Sequence, residues 1–274
     1  MSSTIELVVS HCEEKFHLVE EAYEEVFELY TEGLSNDKWT HNQFAQPKLD
    51  EIEVELEIDN KTVTLNFLQN PTIQTSKGIT GAIIWDSSIC LSNFLCKNSD
   101  WLGLRKGKYC LELGSGCGLT GLTCYHLGSS IHFTDQEVML KYLEKNVKTN
   151  TNKQVKEKLP KHRREEVYTP EVELSELMWG EKLPKEISEQ HIDCVLASDC
   201  VYNEYIVPKL ISTFKDISTP KTLFIIAQEL RSDSVHLLFL EELLQDFIVY
   251  RAVQQGKFAS SCVVIYLAWR KDEE

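Results

Sequence analysis

The residues best equipped for chemistry lie in Glu112-Leu-Gly-Ser-Gly-Cys-Gly-Leu-Thr-Gly, residues 112–121. An apolar run, Tyr109–Leu113, meets three alternate glycines, Gly114, Gly116 and Gly118, with Ser115 inside the loop. A helix-like segment starts at Leu119. A strand that turns sharply into a helix needs residues without a Cβ if a ligand is to lie against the backbone. The helix N-terminus then offers free amides to an anionic group. Glu112, at the strand exit, is placed to accept hydrogen bonds from hydroxyls or an amine. Asp135 closes the next apolar run, Ser130–Thr134. A carboxylate there could hold both hydroxyls of a ribose, or cap the helix that follows. Together these residues point to a nucleoside cofactor.

Two cofactors compete for the loop. Gly116-x-Gly118-x-x-Gly121 also satisfies a dinucleotide fingerprint, with Asp135 about 20 residues on, where a ribose-binding acid belongs. In that register Gly114 has no role, and Glu112 puts negative charge near the pyrophosphate. With Gly114 opening the loop, every glycine and Glu112 has one. A cofactor with a cationic sulfonium, an amino-acid tail and a single ribose suits a carboxylate at position 112. S-adenosylmethionine is that cofactor, and NAD is the rival.

A second pair follows. Asp199 ends the core run Val195-Leu196-Ala197, and Tyr202 comes three residues later. Open α/β sheets place ligands at strand C-terminal ends. Asp199 could instead cap a helix, and Tyr202 could pack in a core. Methyl transfer from a sulfonium to an amine is an in-line displacement that needs a neutral amine, while free lysine has a pKa of about 10.4. A buried, aromatic-lined channel favours loss of that proton. Alignment and charge placement are what the protein supplies.

Ile84-Trp85-Asp86, the glycine loop, Thr134-Asp135, Leu177-Met178-Trp179-Gly180 and Ala197-Ser198-Asp199-Cys200-Val201-Tyr202 occur in one order. Over roughly residues 50–270 the sequence resembles the methyltransferase-like-21 type of seven-β-strand, class I, S-adenosylmethionine-dependent protein-lysine methyltransferases. The resemblance implies a Rossmann-like α/β sheet of seven strands with helices on both faces. It implies that Trp85 borders the methionine moiety, Trp179 flanks adenine, and Ser115 and Ser198 join the cofactor site. Asp199 would hold the substrate ammonium, with Tyr202 lining the lysine channel. Histidine, a protein N-terminus or a small amine stay open as acceptors, and so does a non-catalytic module that binds cofactor and partner. Glu229-Leu230-Arg231 could border the substrate entrance or form a strand-end salt bridge.

The positioning elements are legible as alternation. Strands are expected at Tyr109–Leu113, Ile131–Thr134, around Val167–Leu174, Ile192–Ser198 and Leu223–Gln228, with helices between, and a mostly parallel sheet results. A final strand pair, Phe247–Val253 and Ser261–Trp269, can join antiparallel through Gly256. Glu51–Ile58 and Val63–Leu68 alternate around Asp59-Asn60-Lys61 and predict a hairpin. Phe16, Val19, Tyr23, Val26, Phe27 and Tyr30 recur at helical spacing, predicting one amphipathic helix over 11–34. Residues 1–48 then read as an acidic helical extension, and 49–274 as the methyltransferase domain. Lys153, Lys156, Lys158, Lys161, Arg163 and Arg164 make 151–166 a solvated, mobile basic loop.

A net charge of −15 opposes a phosphate-binding surface, so no nucleic acid is expected. It favours encounter with a protein substrate that is basic where it makes contact. No apolar run approaches the ~20 residues that span a bilayer, and no secretory signal is visible. Nine cysteines without a C-x-x-C pair read as thiols of a reducing compartment, and the histidines show no metal-ligand spacing. The expectation is a metal-free monomer of the cytoplasm, with the nucleus also open.

Overall fold

The computed structural model describes residues 16–35, 43–72, 80–151, 168–254 and 257–272. Residues 152–166 of the expected basic loop and the Gly256 link lie outside them, while Thr151 is the last residue of a helix. The strands and longer α-helices follow in chain order. They are β1 (Phe16–Val19), α1 (Ala22–Ser35), β2 (Glu51–Ile58), β3 (Lys61–Leu68), α2 (Asp86–Leu102), β4 (Tyr109–Leu113), α3 (Leu119–Leu127), β5 (Ser130–Asp135) and α4 (Glu137–Thr151). There follow β6 (Val172–Glu176), α5 (Lys185–Ser188), β7 (Cys194–Ser198), α6 (Val207–Ile217), β8 (Leu223–Glu229), α7 (Asp233–Asp246), β9 (Phe247–Ala252) and β10 (Val263–Arg270).

The main sheet has the order β1-β9-β10-β8-β7-β4-β5-β6. Its β4, β5, β6, β7 and β8 pair in parallel. Strand β10 inserts antiparallel between β8 and β9. Every residue of β4 is buried, as central strands covered by helices on both faces must be. The order reverses between β4 and β7, and that crevice above their C-terminal ends is where such sheets bind ligands.

The sheet has eight strands rather than seven, because residues 16–19 form a strand and not the first turn of a helix. Phe16 packs in the core cluster of one sheet face and Val19 in that of the other. A helix carries both on one stripe, whereas a strand sends residues three apart to opposite faces. Backbone pairing with β9 covers an edge that would otherwise be open. The helix proper starts at Ala22, and its buried face is Ala22, Glu25 and Val26. Tyr23 and Phe27, expected on that face, are 69% and 60% exposed and stack on each other. Tyr266 Oη donates to Glu25 Oε1 at 3.1 Å and ties α1 to β10.

The β2–β3 hairpin turns through Asp59 and Asn60, both left-handed at φ 51° and 60°, which suits their short polar side chains. Two asparagines of α4 dock it. Asn150 Oδ1 accepts from the Asn66 amide at 2.8 Å while its Nδ2 donates to Asn66 O at 2.8 Å. One turn earlier Asn146 repeats the exchange with Leu68, and also donates to Cys117 O at the mouth of the glycine loop.

Candidate active site

The glycine loop leaves β4 in a left-handed backbone: Gly114, Gly116 and Gly118 have φ of 61°, 54° and 85°. Only glycine adopts three such conformations without steric cost. The surroundings also require it. A Cβ would stand 2.9 Å from Trp179 Cζ2 at position 114 and 2.8 Å from Gly81 O at 116. Ser115 sews the loop to β5: its amide donates to Thr134 O at 2.9 Å, and its Oγ accepts from the Thr134 amide at 3.1 Å. No side chain caps α3 at its N-cap residue, Gly118.

Glu112 and Asp135 stand at the ends of adjacent strands. Glu112 is 1% exposed, and its Oε2 has no hydrogen-bond partner among the described residues. Burial pushes its carboxyl up to about 8, although the Ser115 hydroxyl and the Gly121 amide pull the other way. Asp135 Oδ2 accepts from the Gly116 amide at 2.7 Å and Oδ1 from Gln136 at 2.7 Å. Its carboxyl, too, is raised by burial.

Both carboxylates and the loop line one cavity of about 520 Å³. That falls within the span of small-molecule sites, about 300–1,000 Å³. Trp85, Trp179, Ser198, Asp199 and Tyr202 line the same cavity, so the residues expected to bind cofactor or border the acceptor converge there. Trp179 is set over the loop by Gly180, whose left-handed amide donates to Thr213 Oγ1 at 2.8 Å. Trp85 opens α2, and its Nε1 donates to Thr80 O at 3.0 Å. The neighbouring Asp86 is buried and accepts amides from Gln43, Phe44 and Ala45, a structural role the sequence did not reveal.

Asp199 is held more firmly than the sequence suggests. Its backbone is left-handed at φ 58°, a sparsely populated region for a residue with a side chain. Arg231 donates Nη1 to Oδ1 at 2.9 Å and Nη2 to Oδ2 at 2.6 Å. Oδ1 also accepts from Gln228 Nε2 at 3.2 Å and from the Glu229 amide at 3.3 Å. Gln228 Oε1 takes the Val201 amide at 2.9 Å, so one side chain clamps both ends of the turn. The expected contact of Asp199 with a substrate ammonium is thus filled here by an internal guanidinium. Burial raises the Asp199 carboxyl against the pull of Arg231. Tyr202 is 38% exposed at the cavity mouth, its phenol raised by burial. Sequence reasoning missed Gln228. Its signal was an amide closing an otherwise apolar strand, Phe224-Ile-Ile-Ala227.

The donor set fits a nucleoside sulfonium: an orphaned buried carboxylate oxygen, an uncapped helix start, a cradle closed to any Cβ, and a second strand-end acid. What the arrangement can do chemically is hold such a group on one wall and admit an acceptor past Tyr202 on the other.

Comparison with known proteins agrees. A family model described as lysine methyltransferase matches residues 68–246. Over 168 residues the chain is 33% identical to protein N-lysine methyltransferase METTL21A of Danio rerio, covering 61% of this chain and 69% of that one. It is 28% identical over 177 residues to EEF1A lysine methyltransferase 3 of Xenopus tropicalis, covering 64% of this chain and 70% of that protein. Among solved structures, the Thermus thermophilus 16S rRNA N2 G1207 methyltransferase in complex with AdoMet and guanosine superposes with a TM-score of 0.50. The identity there is 14%, covering 81% of this chain and about half, 51%, of the other, which speaks for the fold alone.

Proposed function

The chain belongs to the lysine methyltransferase family, and on that premise we propose that it transfers a methyl group from S-adenosylmethionine to the side-chain amine of a lysine in a protein substrate. The observation that carries the reading is the convergence, in one cavity, of the left-handed glycine loop with its orphaned Glu112 oxygen and the Asp199–Tyr202 turn. When bound, S-adenosylmethionine supplies a methyl group on a sulfonium, open to in-line displacement by an amine lone pair.

The chain's own residues bind, orient and exclude water. The glycine loop and Ser115 form the cofactor wall, Glu112 and Asp135 offer acceptors to the cofactor's hydroxyls and amine, and Trp85, Trp179 and Ser198 flank it. Asp199 and Tyr202 border the acceptor: Tyr202 narrows the mouth, and Asp199 fixes the turn through its pairing with Arg231. The net charge of −15 supports a substrate segment that is basic at the contact. The same charge speaks against nucleic acid as substrate. We further propose that the chain acts as a monomer, in the cytoplasm and in the nucleus.

The test is transfer of labelled methyl from S-adenosylmethionine into a methylation-depleted cell lysate, comparing wild type with Asp199→Ala. Label in methyl-lysine with wild type alone is the expected result. Label in another amino acid overturns the acceptor, and no label despite measurable cofactor binding favours the non-catalytic module.

A further inference from the structure

We propose that Arg231 is a positioning residue that keeps the acceptor end of the cavity from trapping the substrate lysine as its ammonium. The proposal rests on the lysine-methylating reading above.

Two carboxylates stand almost fully buried beside the acceptor end: the side chains of Asp199 and Glu229 are 4% and 3% exposed. Left alone they carry a formal charge of about −2 in a low-dielectric wall, which strongly favours the protonated form of any amine brought against them. An ammonium has no lone pair and cannot attack. Arg231 removes that trap. Its guanidinium engages both Asp199 oxygens, donates through the Nη2 that holds Oδ2 to Glu229 Oε2 as well, and lies 4.6 Å from the centre of the Trp85 ring. Guanidinium stays charged at every pH an enzyme meets, which a lysine in this place would not guarantee.

Three segments converge on the group: the turn after β7 with Asp199, the end of β8 with Glu229, and the residue before α2 with the Trp85 ring. Asp199 and Glu229 are the titratable groups that act on Arg231. Elsewhere on the cavity wall stand Lys209 of α6, Asp135 of β5, Glu112 of β4 and Tyr202. The thiols of Cys117 and Cys200, also on that wall, are pushed up by burial and remain neutral. Arg231 is therefore the cation fixed next to the acceptor, and Asp199 meets the amine already neutralised.

The first arm needs no turnover. Binding of n-butylamine, a mimic of the lysine terminus, to the protein with S-adenosylhomocysteine is followed by calorimetry at about pH 8 in two buffers of different ionisation enthalpy, which counts the protons released. Wild type and Arg231→Lys are expected to release about one proton per amine bound. Arg231→Met is expected to release less than about half a proton and to bind the amine about tenfold more tightly, as for a bound-amine pKa raised from about 7 to about 9. The second arm uses, as probe, the lysate protein that wild type labels most strongly, once purified. For Arg231→Met, KM should not rise. Its kcat near pH 7 should fall about tenfold or more and recover towards wild type near pH 9.5. Adding Glu229→Gln returns the formal charge to its wild-type value and should restore most of the loss. Equal proton release by wild type and Arg231→Met, or a kcat loss that is flat in pH and not restored by the double variant, overturns the proposal. If wild type labels no lysine, the functional reading fails by itself, and the amine-binding arm still decides the role of Arg231.

Discussion

Gly121 and Glu112 sit so close that a Cβ on the glycine would stand 2.6 Å from Glu112 Oε2, and 2.3 Å from Phe133 Cε1 on the other side. The fourth glycine of the loop region therefore has ordinary helical geometry and is there for space alone. It lets α3 settle against β4 and β5 closely enough to bury the carboxylate that the cavity uses.

Gly121→Ala should consequently destabilise the protein by about 1–3 kcal/mol, the usual cost of overpacking, despite alanine's better helix propensity. Thermal unfolding should shift down by several degrees. Cofactor affinity should fall as well, since the added methyl displaces Glu112. Unchanged Tm together with unchanged affinity would show that the packing relaxes freely.

Gly116→Arg should abolish cofactor binding. The position needs φ near 54°, and its Cβ would meet Gly81 O at 2.8 Å, a backbone atom that cannot swing aside. Titration with S-adenosylmethionine should show affinity reduced by about 100-fold or more, the equivalent of ~3 kcal/mol. Retained affinity would sink the placement of the loop.

Glu112 gives the unliganded protein a distinctive pH dependence. Its folded pKa of about 8 lies above the ordinary glutamate value of 4.5, so the folded state holds the proton more tightly than the unfolded chain. The stabilisation is fully present below the unfolded value and is lost as pH rises through about 8. Denaturant midpoints should fall across that window in wild type, and fall less in Glu112→Gln, which cannot ionise. Parallel curves for the two proteins would be incompatible with a buried, protonated Glu112.

Asn146→Ala should cost about 1–3 kcal/mol, because the Leu68 amide and the Leu68 and Cys117 carbonyls lose their partner at a part-buried edge. Asn150→Ala should do the same at Asn66. Hydrogen exchange at the Asn66 and Leu68 amides should accelerate selectively in the respective variants. Uniform acceleration through the whole molecule would place the asparagines outside any local docking role.

Elements with local signatures were legible in the sequence. The Asp59-Asn60 turn could be read because left-handed residues announce themselves. The glycine loop could be read because three alternate residues without a Cβ serve little purpose except a left-handed turn with close backbone approach. The convergence of Asp135, Asp199 and Tyr202 followed from strand ends in a parallel sheet. What escaped depends on partners distant in sequence. Phe16 and Val19 mimic helical spacing until β9 offers an edge, which no local pattern contains. Tyr23 and Phe27 fit the apolar stripe, yet the docked face of α1 turns on Glu25 finding Tyr266. The strand-end salt bridge open to Glu229-Leu230-Arg231 is present, but its pairing with Asp199 joins the ends of two strands, and charge spacing within either one does not name that partner.

The clasp between β1 and β9 also sets an order of events for a chain emerging from the ribosome. The first strand, Phe16–Val19, must wait unpaired until Phe247–Ala252 has been made. By Glu229 all of the strands that wall the cavity already exist, and parallel pairing among them needs nothing from either end of the chain. Residues near the start are therefore among the last to lock, and the joint between the two ends is the long-range, late-closing contact that slows folding in such topologies.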